Sequence, residues 1–307
     1  MEYKKYDLIT ILGPTASGKT KLAVLLADKM DGEIVSADSR QVYKGMDIGT
    51  GKDLADYNIG ERTIPYHLID IADAGSKLNI FEYQQAFYSA YNEIKDRGKQ
   101  AILCGGSGLY IEAVAEGYDL KPVPQNDELR KKLEAYTLED LAHHLEKMKK
   151  VHNKSDFDTK KRAIRAIEIE TYYQTNPHEK ASNPQLSNIY FGISIDREVR
   201  RQRISQRLHE RLAQGLVEEV EELHKKGVSI DDLMYYGLEY KYVGSYLAKQ
   251  LSYNDMVQGL EMAILQFAKR QMTWFRGMER KGLSINWIDY SIPNDEKVEL
   301  ILNQLKS

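Results

Sequence analysis

An eight-residue run near the N-terminus constrains the fold more than any other part of the chain: Gly13-Pro14-Thr15-Ala16-Ser17-Gly18-Lys19-Thr20. Apolar residues 8–12 precede it and a helical pattern at 22–27 follows it. The pattern G-x-x-x-x-G-K-[ST] between a strand and a helix predicts a phosphate-binding loop, because curled backbone N–H groups and a helix N-terminus attract anions. We expect Lys19 to bind phosphate oxygens and the Thr20 hydroxyl to reach Mg²⁺.

Composition places the chain among ordinary globular proteins. Of its 307 residues, 42% are hydrophobic and 29% are charged. The one cysteine excludes an internal disulfide and a cysteine-cluster metal site. The net charge of −3 argues against a generally basic surface, although residues 147–165 and 197–211 form basic patches. Without a long apolar run or a signal region, we expect a cytoplasmic protein that does not contact membranes. We also expect a monomer.

Alternating strand and helix patterns in the first third predict an α/β fold of the phosphate-loop NTPase type, a parallel sheet flanked by helices. The strand candidates are residues 7–12, 33–36, 100–104, 188–195 and 284–288. Ligands of such sheets bind beyond the carboxyl ends of the strands. The phosphate loop, residues 37–41 and the turn Gly105-Gly106-Ser107-Gly108 each follow a strand. We therefore expect these three loops to converge on one crevice.

The middle of the chain differs from the rest. Three helical patterns with no good strand between them fill residues 119–186, bounded by Pro-containing segments. We interpret this range as a helical insertion, and residues 1–118 and 187–307 as the catalytic core with a helix-rich C-terminal part. From 197 to 226 apolar residues recur every four positions beside a stripe of arginines at 200, 203, 207 and 211.

Three side chains are candidates for chemistry at the crevice. Asp38 ends a strand, so it could accept a proton or reach Mg²⁺ through water, or it could only cap a turn. Ser107 lies in a glycine-rich turn and could bind a phosphate oxygen or the nucleophile. The arginine stripe could clamp a diphosphate or be a solvated face, and we expect Arg207 to reach the site.

A basic cluster in the insertion suits contact with a nucleic-acid backbone. It reads Lys160-Lys161-Arg162-Ala163-Ile164-Arg165, and the alternative is a set of solubilising charges. Tyrosines at 235, 236, 240, 242 and 246 are more typical of a core or interface than of base stacking. The seven histidines show no metal-ligand spacing.

Taken together, these motifs resemble the tRNA dimethylallyltransferase (tRNA isopentenyltransferase) family, and the resemblance covers most of the chain. Besides the phosphate loop, the block from Ser36 to Thr50 is highly specific, since generic phosphate-loop kinases lack it. The further segments that carry the resemblance are His67–Asp70, Gly105–Tyr110, Arg162–Glu168, Arg203-Ile204 with Arg207, and Ala268–Arg276.

This resemblance implies transfer of a dimethylallyl group from dimethylallyl diphosphate to N6 of the adenosine at tRNA position 37, in the anticodon stem-loop. The phosphate loop, residues 13–20, would hold the prenyl diphosphate, with Lys19 and Thr20 contacting the diphosphate and Mg²⁺. Asp38 would accept the N6 proton, Ser107 would offer a hydroxyl where the family usually has threonine, and Arg207 would neutralise the leaving group.

The resemblance also implies where tRNA would bind. The contacts would come from Asp38-Ser39-Arg40-Gln41 and from Lys160-Lys161-Arg162-Ala163-Ile164. This chain departs from the usual family pattern at residues 158–161, 237–241 and 265–267. Three alternatives stay open: prenylation of free adenylate, a kinase that uses ATP, and a non-catalytic RNA-binding module switched by a nucleotide.

Overall fold

A computed structural model of the chain describes residues 6–148, 158–176 and 183–306. Its backbone divides into two compact units, Met1–Tyr118 with Pro184–Ser307 and Asp119–Asn183. We call them the core and the insertion. Residues 149–157, which belong to the basic patch and include the C-terminal end of the second helical pattern of the insertion, lie outside the described residues.

Among the described residues, the core contains a six-stranded sheet in the order β5-β2-β6-β1-β7-β8. All of its neighbouring strands run parallel. The strands are β1 Leu8–Leu12, β2 Gly32–Ala37, β5 Tyr66–His67, β6 Gln100–Gly105, β7 Asn188–Ser194 and β8 Ile285–Asp289, with a small hairpin of β3 Asn58–Ile59 and β4 Arg62–Thr63. The predicted α/β parallel-sheet fold is therefore confirmed.

Buried strands explain why this sheet forms where the apolar runs predict it. Every residue of β1 and β2 is buried, as a parallel sheet covered on both faces requires. Two separate apolar clusters pack against the two faces, one built around Leu8 and Phe87 and the other around Ile9 and Leu26. The two-residue β5 escapes prediction because it is too short to show a pattern.

Helices cover the sheet and extend beyond it. In the core they are α1 Lys19–Met30, α2 Ile80–Asp96, α3 Gly108–Ala115, α7 Arg197–Ala213, α8 Leu216–Lys225, α9 Ile230–Leu233, α10 Leu238–Leu247, α11 Tyr253–Arg280 and α12 Asn294–Lys306, with a short 3₁₀ turn at Leu54–Tyr57. The continuous pattern at 197–226 is two helices, because Gly215 adopts a φ of 100° that ends α7 and begins α8. None of the described helices is long and apolar enough to cross a membrane.

The insertion has its own small core. Its described helices are α4 Asp127–Leu133, α5 Leu138–Met148 and α6 Lys160–Thr175. The buried apolar side chains that join them are Leu133, Leu141, Leu145, Ala163, Ile164 and Ile167. One carboxylate is buried beside them: Glu168 is 2% exposed and accepts hydrogen bonds from the Arg130 guanidinium at 2.8 and 2.9 Å and from the Asn126 amide.

Candidate functional site

The phosphate loop connects β1 to α1 in the conformation that an anion cradle needs. Gly18 has a φ of 85° and precedes the first residue of α1, and Ala16 is also left-handed, with a φ of 60°. A Cβ at Gly13 would lie 2.8 Å from the Ser17 hydroxyl, so glycine is required there by close approach. Ser17 Oγ is buried without a hydrogen-bond partner within the protein. The loop therefore keeps one buried donor, the Ser17 hydroxyl, that the protein itself does not satisfy.

Lys19 and Thr20 stand at the start of α1, above the end of β6. Burial lowers the pKa of Lys19, with Arg207 adding to this effect and the nearby Cys104 and Asp38 opposing it. The Lys19 ammonium is 3.4 Å from the Pro14 carbonyl oxygen. Thr20 contacts the thiol of Cys104, and burial raises the pKa of that thiol to about 11. Cys104 is therefore an inert packing residue beneath the loop.

The turn after β6 needs glycines because other chain segments pack closely against it, and not because its backbone adopts an unusual φ. A Cβ at Gly105 would lie 2.1 Å from the Ala37 carbonyl oxygen, and one at Gly108 would lie 2.2 Å from the Trp274 ring. This close packing places Ser107 beside the end of β2. The Ser107 amide donates to the Ala37 carbonyl at 3.2 Å, and the Ser39 amide donates to Ser107 Oγ at 3.1 Å.

Asp38 lies at the carboxyl end of β2, partly exposed. Its Oδ1 accepts a hydrogen bond from the Arg40 amide at 2.9 Å, which is the turn-capping contact that the sequence left as one alternative. That bond fixes the direction of the carboxylate without burying it. Asp38 also lies close enough to raise the pKa of Lys19. The carboxylate is thus oriented by the turn and remains accessible to a ligand in the crevice.

Gln271 of α11 joins the phosphate loop to the glycine turn. Its Oε1 accepts from the Thr15 amide at 2.9 Å, and its Nε2 donates to the Gly106 carbonyl at 2.9 Å. The residue is 7% exposed. Through this bridge and the Ser39–Ser107 hydrogen bond, the three loops that follow β1, β2 and β6 meet at one edge of the sheet, as predicted.

A cavity of about 410 Å³ opens next to the phosphate loop. Its lining residues are Ala16, Ser17, Gly18, Lys19, Thr20, Lys21, Gln41, Gly51, Lys52, Asp53, Asp56, Tyr57, Arg203, Gln206, Arg207, Glu210, Arg211 and Gln214. Three arginines of the α7 stripe therefore reach the cavity, with Arg207 among them. Two lysines of α1 face them across the space, so the cavity is built for an anion.

Two arginines of the cavity pair with carboxylates, and the two pairs differ in their exposure to solvent. Arg207 forms an ion pair with Asp53, and the two side chains are 32% and 51% exposed. Arg211 lies 3.4 Å from Glu239, and these side chains are only 11% and 17% exposed. The backbone of Gly51, with a φ of 63°, presses against both guanidinium groups: a Cβ there would lie 1.7 Å from Arg211 and 2.8 Å from Arg207.

Glu219 of α8 anchors the loop that carries Gly51 and Asp53. Its carboxylate accepts hydrogen bonds from the amides of Asp47, Ile48 and Gly49 at 2.9, 2.7 and 3.0 Å, and from the Tyr240 hydroxyl at 2.6 Å. Glu219 is one of several neighbouring glutamates, so the sequence alone does not single it out for this contact.

Lys52 fastens the other end of the same loop. Its side chain is fully buried, and its ammonium donates to Asp47 Oδ1 at 2.8 Å and pairs with Asp70. Contacts from motif segments 45–50 and 67–70 thereby hold in place the loop whose residues Gly51, Lys52 and Asp53 line the cavity.

Mg²⁺ fits the donor set at this site. The described residues contain no group of three or more His, Cys, Asp or Glu side chains that could hold a metal ion. The Thr20 hydroxyl and the carboxylate of Asp56 do line the cavity. Hard oxygen donors in small number suit Mg²⁺, which keeps several waters and shares phosphate oxygens with a substrate.

The proposed RNA-contacting residues of the insertion divide by burial. Lys160, Lys161 and Arg162 are exposed at the start of α6, and Arg162 pairs with Asp158 at 2.6 Å. Ala163 and Ile164 lie in the small apolar core of the insertion, so their side chains have a structural role. In the core, Arg40 lies over the ring of Tyr235 at 5.4 Å.

The fold and this site define a phosphate-loop α/β protein whose cationic cavity suits a diphosphate group. A family model described as "IPP transferase" matches residues 41–278. The chain is 56% identical over 306 residues to a tRNA dimethylallyltransferase 2 of Bacteroides fragilis, covering 100% of this chain and 99% of that one. It is 57% identical over 305 residues to a tRNA dimethylallyltransferase 1 of Parabacteroides distasonis, covering 99% of each.

A solved structure agrees with these sequence relatives. The crystal structure of a full-length tRNA isopentenylpyrophosphate transferase from Bacillus halodurans superposes with a TM-score of 0.71 at 31% identity, covering 98% of this chain and 96% of that one. The chain belongs to the IPP transferase family, and the resemblance read from its motifs is confirmed.

Proposed function

We propose that this protein transfers a dimethylallyl group from dimethylallyl diphosphate to N6 of the adenosine at tRNA position 37, beside the anticodon. The observation that carries this proposal is a cavity lined by the phosphate loop and by arginines of α7. The loop after β2, whose Gln41 also lines this cavity, holds the oriented and partly exposed carboxylate of Asp38. The tRNA substrate is supported by the names of the relatives, which are tRNA dimethylallyltransferases.

The diphosphate would bind in the cavity, against the backbone N–H groups of residues 13–20. Lys19 and Arg207 would neutralise the negative charge that grows on the leaving diphosphate as the allylic C–O bond breaks. Mg²⁺ bound to the diphosphate, with Thr20 as its protein ligand, would supply further charge neutralisation. Because these groups are fixed before the substrate arrives, little reorganisation accompanies the reaction.

Asp38 and Ser107 would act on the adenosine. The exocyclic amine of adenine is a weak nucleophile because its lone pair is delocalised, so the amine must lose a proton as its bond to carbon forms. Asp38, held by the Arg40 amide, would take that proton. The Ser107 hydroxyl, which lies 3.1 Å from the Ser39 amide, would orient the N6 group.

RNA contact would come from two places, each described by itself. In the core, Ser39, Arg40 and Gln41 follow Asp38 directly, so they would touch the nucleotides around an adenosine flipped out of its stack. In the insertion, the exposed side chains of Lys160, Lys161 and Arg162 would contact phosphates. Ala163 and Ile164 would support that surface from beneath.

We further propose that the protein works as a monomer in the cytoplasm, where its tRNA substrate is present. Sedimentation of the protein with and without tRNA tests this point: a single species of one chain is expected, and a stable dimer would contradict it.

The central test is mass spectrometry of nucleosides from unmodified tRNA incubated with the protein, dimethylallyl diphosphate and Mg²⁺. A gain of one dimethylallyl group on adenosine is expected. The matched control is a tRNA with guanosine at position 37, which should gain nothing. Parallel reactions with free adenylate and with ATP test the two alternative activities, adenylate prenylation and ATP-dependent phosphoryl transfer. Product in either of these reactions, with none on tRNA, would overturn the proposal.

A further inference from the structure

The ion pair between Arg207 and Asp53 lies in the place where the proposed function puts a diphosphate. Asp53 is an acidic residue on the wall of a cavity whose other walls carry Lys19, Lys21 and Arg211. A carboxylate there opposes the binding of an anion unless it has a separate task. Its guanidinium partner is the arginine that faces the cavity on the middle turns of α7.

Comparison with the neighbouring pair separates a fixed contact from an exchangeable one. Arg211 and Glu239 are both largely buried, so breaking their contact would leave a charge without a partner in a poorly solvated place. Asp53 is half exposed, so its carboxylate can leave Arg207 and be solvated by water at small cost. Arg207 itself is confined by the backbone of Gly51, which leaves no room for a Cβ beside the guanidinium.

The loop that ends at residue 52 is held in place, which supports the view that the Asp53 contact is the exchangeable one. Glu219 and Lys52 fix the loop up to residue 52, so the backbone before Asp53 stays in place when its side chain moves. The exchange therefore needs only a rotation of one side chain.

We propose that Asp53 is the counter-ion of Arg207 in the ligand-free protein and that the incoming diphosphate displaces it. The carboxylate keeps the arginine extended toward the cavity before the substrate binds, and it competes with the diphosphate afterwards, which speeds release of the product. This inference rests on the assignment of the cavity to a diphosphate under the proposed function.

The test is calorimetric titration of inorganic diphosphate into the full-length wild type, Asp53→Asn and Asp53→Glu. Removing a competing, half-exposed carboxylate should make Asp53→Asn bind diphosphate about three- to tenfold more tightly. Asp53→Glu keeps the carboxylate and should bind like the wild type. Binding by Asp53→Asn that is equal to or weaker than wild type, in a variant with an unchanged melting temperature, would overturn the proposal.

Two controls make the result specific. Glu198→Gln removes the same charge from an exposed residue of α7 that does not line the cavity, and its effect should stay below about twofold. An equal gain in Glu198→Gln would reduce the effect to the net charge of the protein and contradict the proposal. The titrations are run both with Mg²⁺ and with a chelator: if Asp53 were a metal ligand, Asp53→Asn would bind more weakly in Mg²⁺, which also contradicts the proposal.

Failure of this inference and failure of the proposed function are distinguishable. The titrations contain no tRNA and no prenyl group, so tighter binding by Asp53→Asn supports the counter-ion role even if the wild type does not modify tRNA. The proposed function can also hold while this inference fails. The wild type then prenylates tRNA, but added diphosphate inhibits the reaction of Asp53→Asn no more strongly than that of the wild type. The reaction then stands and the counter-ion role falls.

Discussion

Helices α6 and α7 both carry dense basic residues, yet they use them in opposite ways. On α7, arginines 203, 207 and 211 line a concave cavity beside the phosphate loop. At the start of α6, Lys160, Lys161 and Arg162 project from an exposed surface. The difference is created by what faces each helix, because a glycine loop and a second set of cations close over α7.

This contrast teaches what a basic run can bind. Cations that converge on a concave cavity act together on one small, highly charged group. Cations spread over an exposed helix interact weakly with each phosphate of an extended polyanion, and salt screens them. The α7 residues should therefore affect turnover and diphosphate binding, whereas the α6 residues should affect tRNA affinity alone.

The largest effect is expected from substitution of Asp38, the proposed proton acceptor. Asp38→Ala removes the proposed proton acceptor, so kcat should fall by about 10²–10⁴-fold while the melting temperature stays close to that of the wild type. Asp38→Asn, which keeps an oxygen for the Arg40 amide, should be almost as inactive, and this matched variant separates proton transfer from turn geometry. Turnover within threefold of wild type would remove Asp38 from the mechanism.

Arg207→Ala is the next largest change and tests the α7 side of the comparison. Loss of one preorganised charge at the leaving group should lower kcat by about 10²–10³-fold, with a smaller effect on the KM for tRNA. Arg201→Ala is the control, since Arg201 is exposed on the same helix and does not line the cavity. A loss confined to the KM for tRNA would place Arg207 with the RNA-binding residues and erase the contrast.

The sequence predicts those parts of the fold that depend on residues close together in the chain, and it predicts the other parts less well. The phosphate loop and α1 follow from a local pattern, and α1 contains the helical pattern predicted at 22–27. The break between α7 and α8 was missed because the spacing of apolar residues continues across Gly215. Short β5 gave no pattern, and α12 was not predicted although its apolar residues recur at helical spacing.

Site residues follow the same division. Asp38, Ser107 and Arg207 were candidates because they follow strands or repeat along a helix. Glu219 and Asp53 were not, since each acts on residues more than 150 positions away in the chain. Only the fold brings these partners together. Gln271 lies between these cases: it stands within a quoted motif, but its bridge between two loops needed the tertiary structure.

Glu168 provides a test of stability in the insertion. Burial alone would raise its pKa, but hydrogen bonds from Arg130, the Asn126 amide and Arg165 lower it to about 2. Because the folded pKa lies below its ordinary value of 4.5, the carboxylate stabilises the insertion fully above about pH 4.5, and this contribution disappears as the pH falls toward 2.

Glu168→Gln should therefore destabilise the insertion by about 2 kcal/mol at pH 7 and by about half as much at pH 3. Hydrogen exchange of peptides from α4 and α6 in the full-length protein measures this change. Glu128→Gln, an exposed acid of α4, should leave the exchange rates unchanged. Equal destabilisation by Glu168→Gln at both pH values would show that its charge contributes nothing.

The smallest effect is expected on the exposed side of the comparison. Arg162→Ala removes one proposed phosphate contact, so the KM for tRNA should rise about two- to fivefold at moderate salt, with kcat unchanged. Lys147→Ala, which removes an exposed charge of the same sign from α5, should change neither value. The dependence of log KM on log salt should also become shallower by about one phosphate contact for Arg162→Ala. A fall in kcat with an unchanged salt dependence would mean that Arg162 acts as the α7 arginines do, and the distinction between a concave site for one anion and an exposed surface for many would fail.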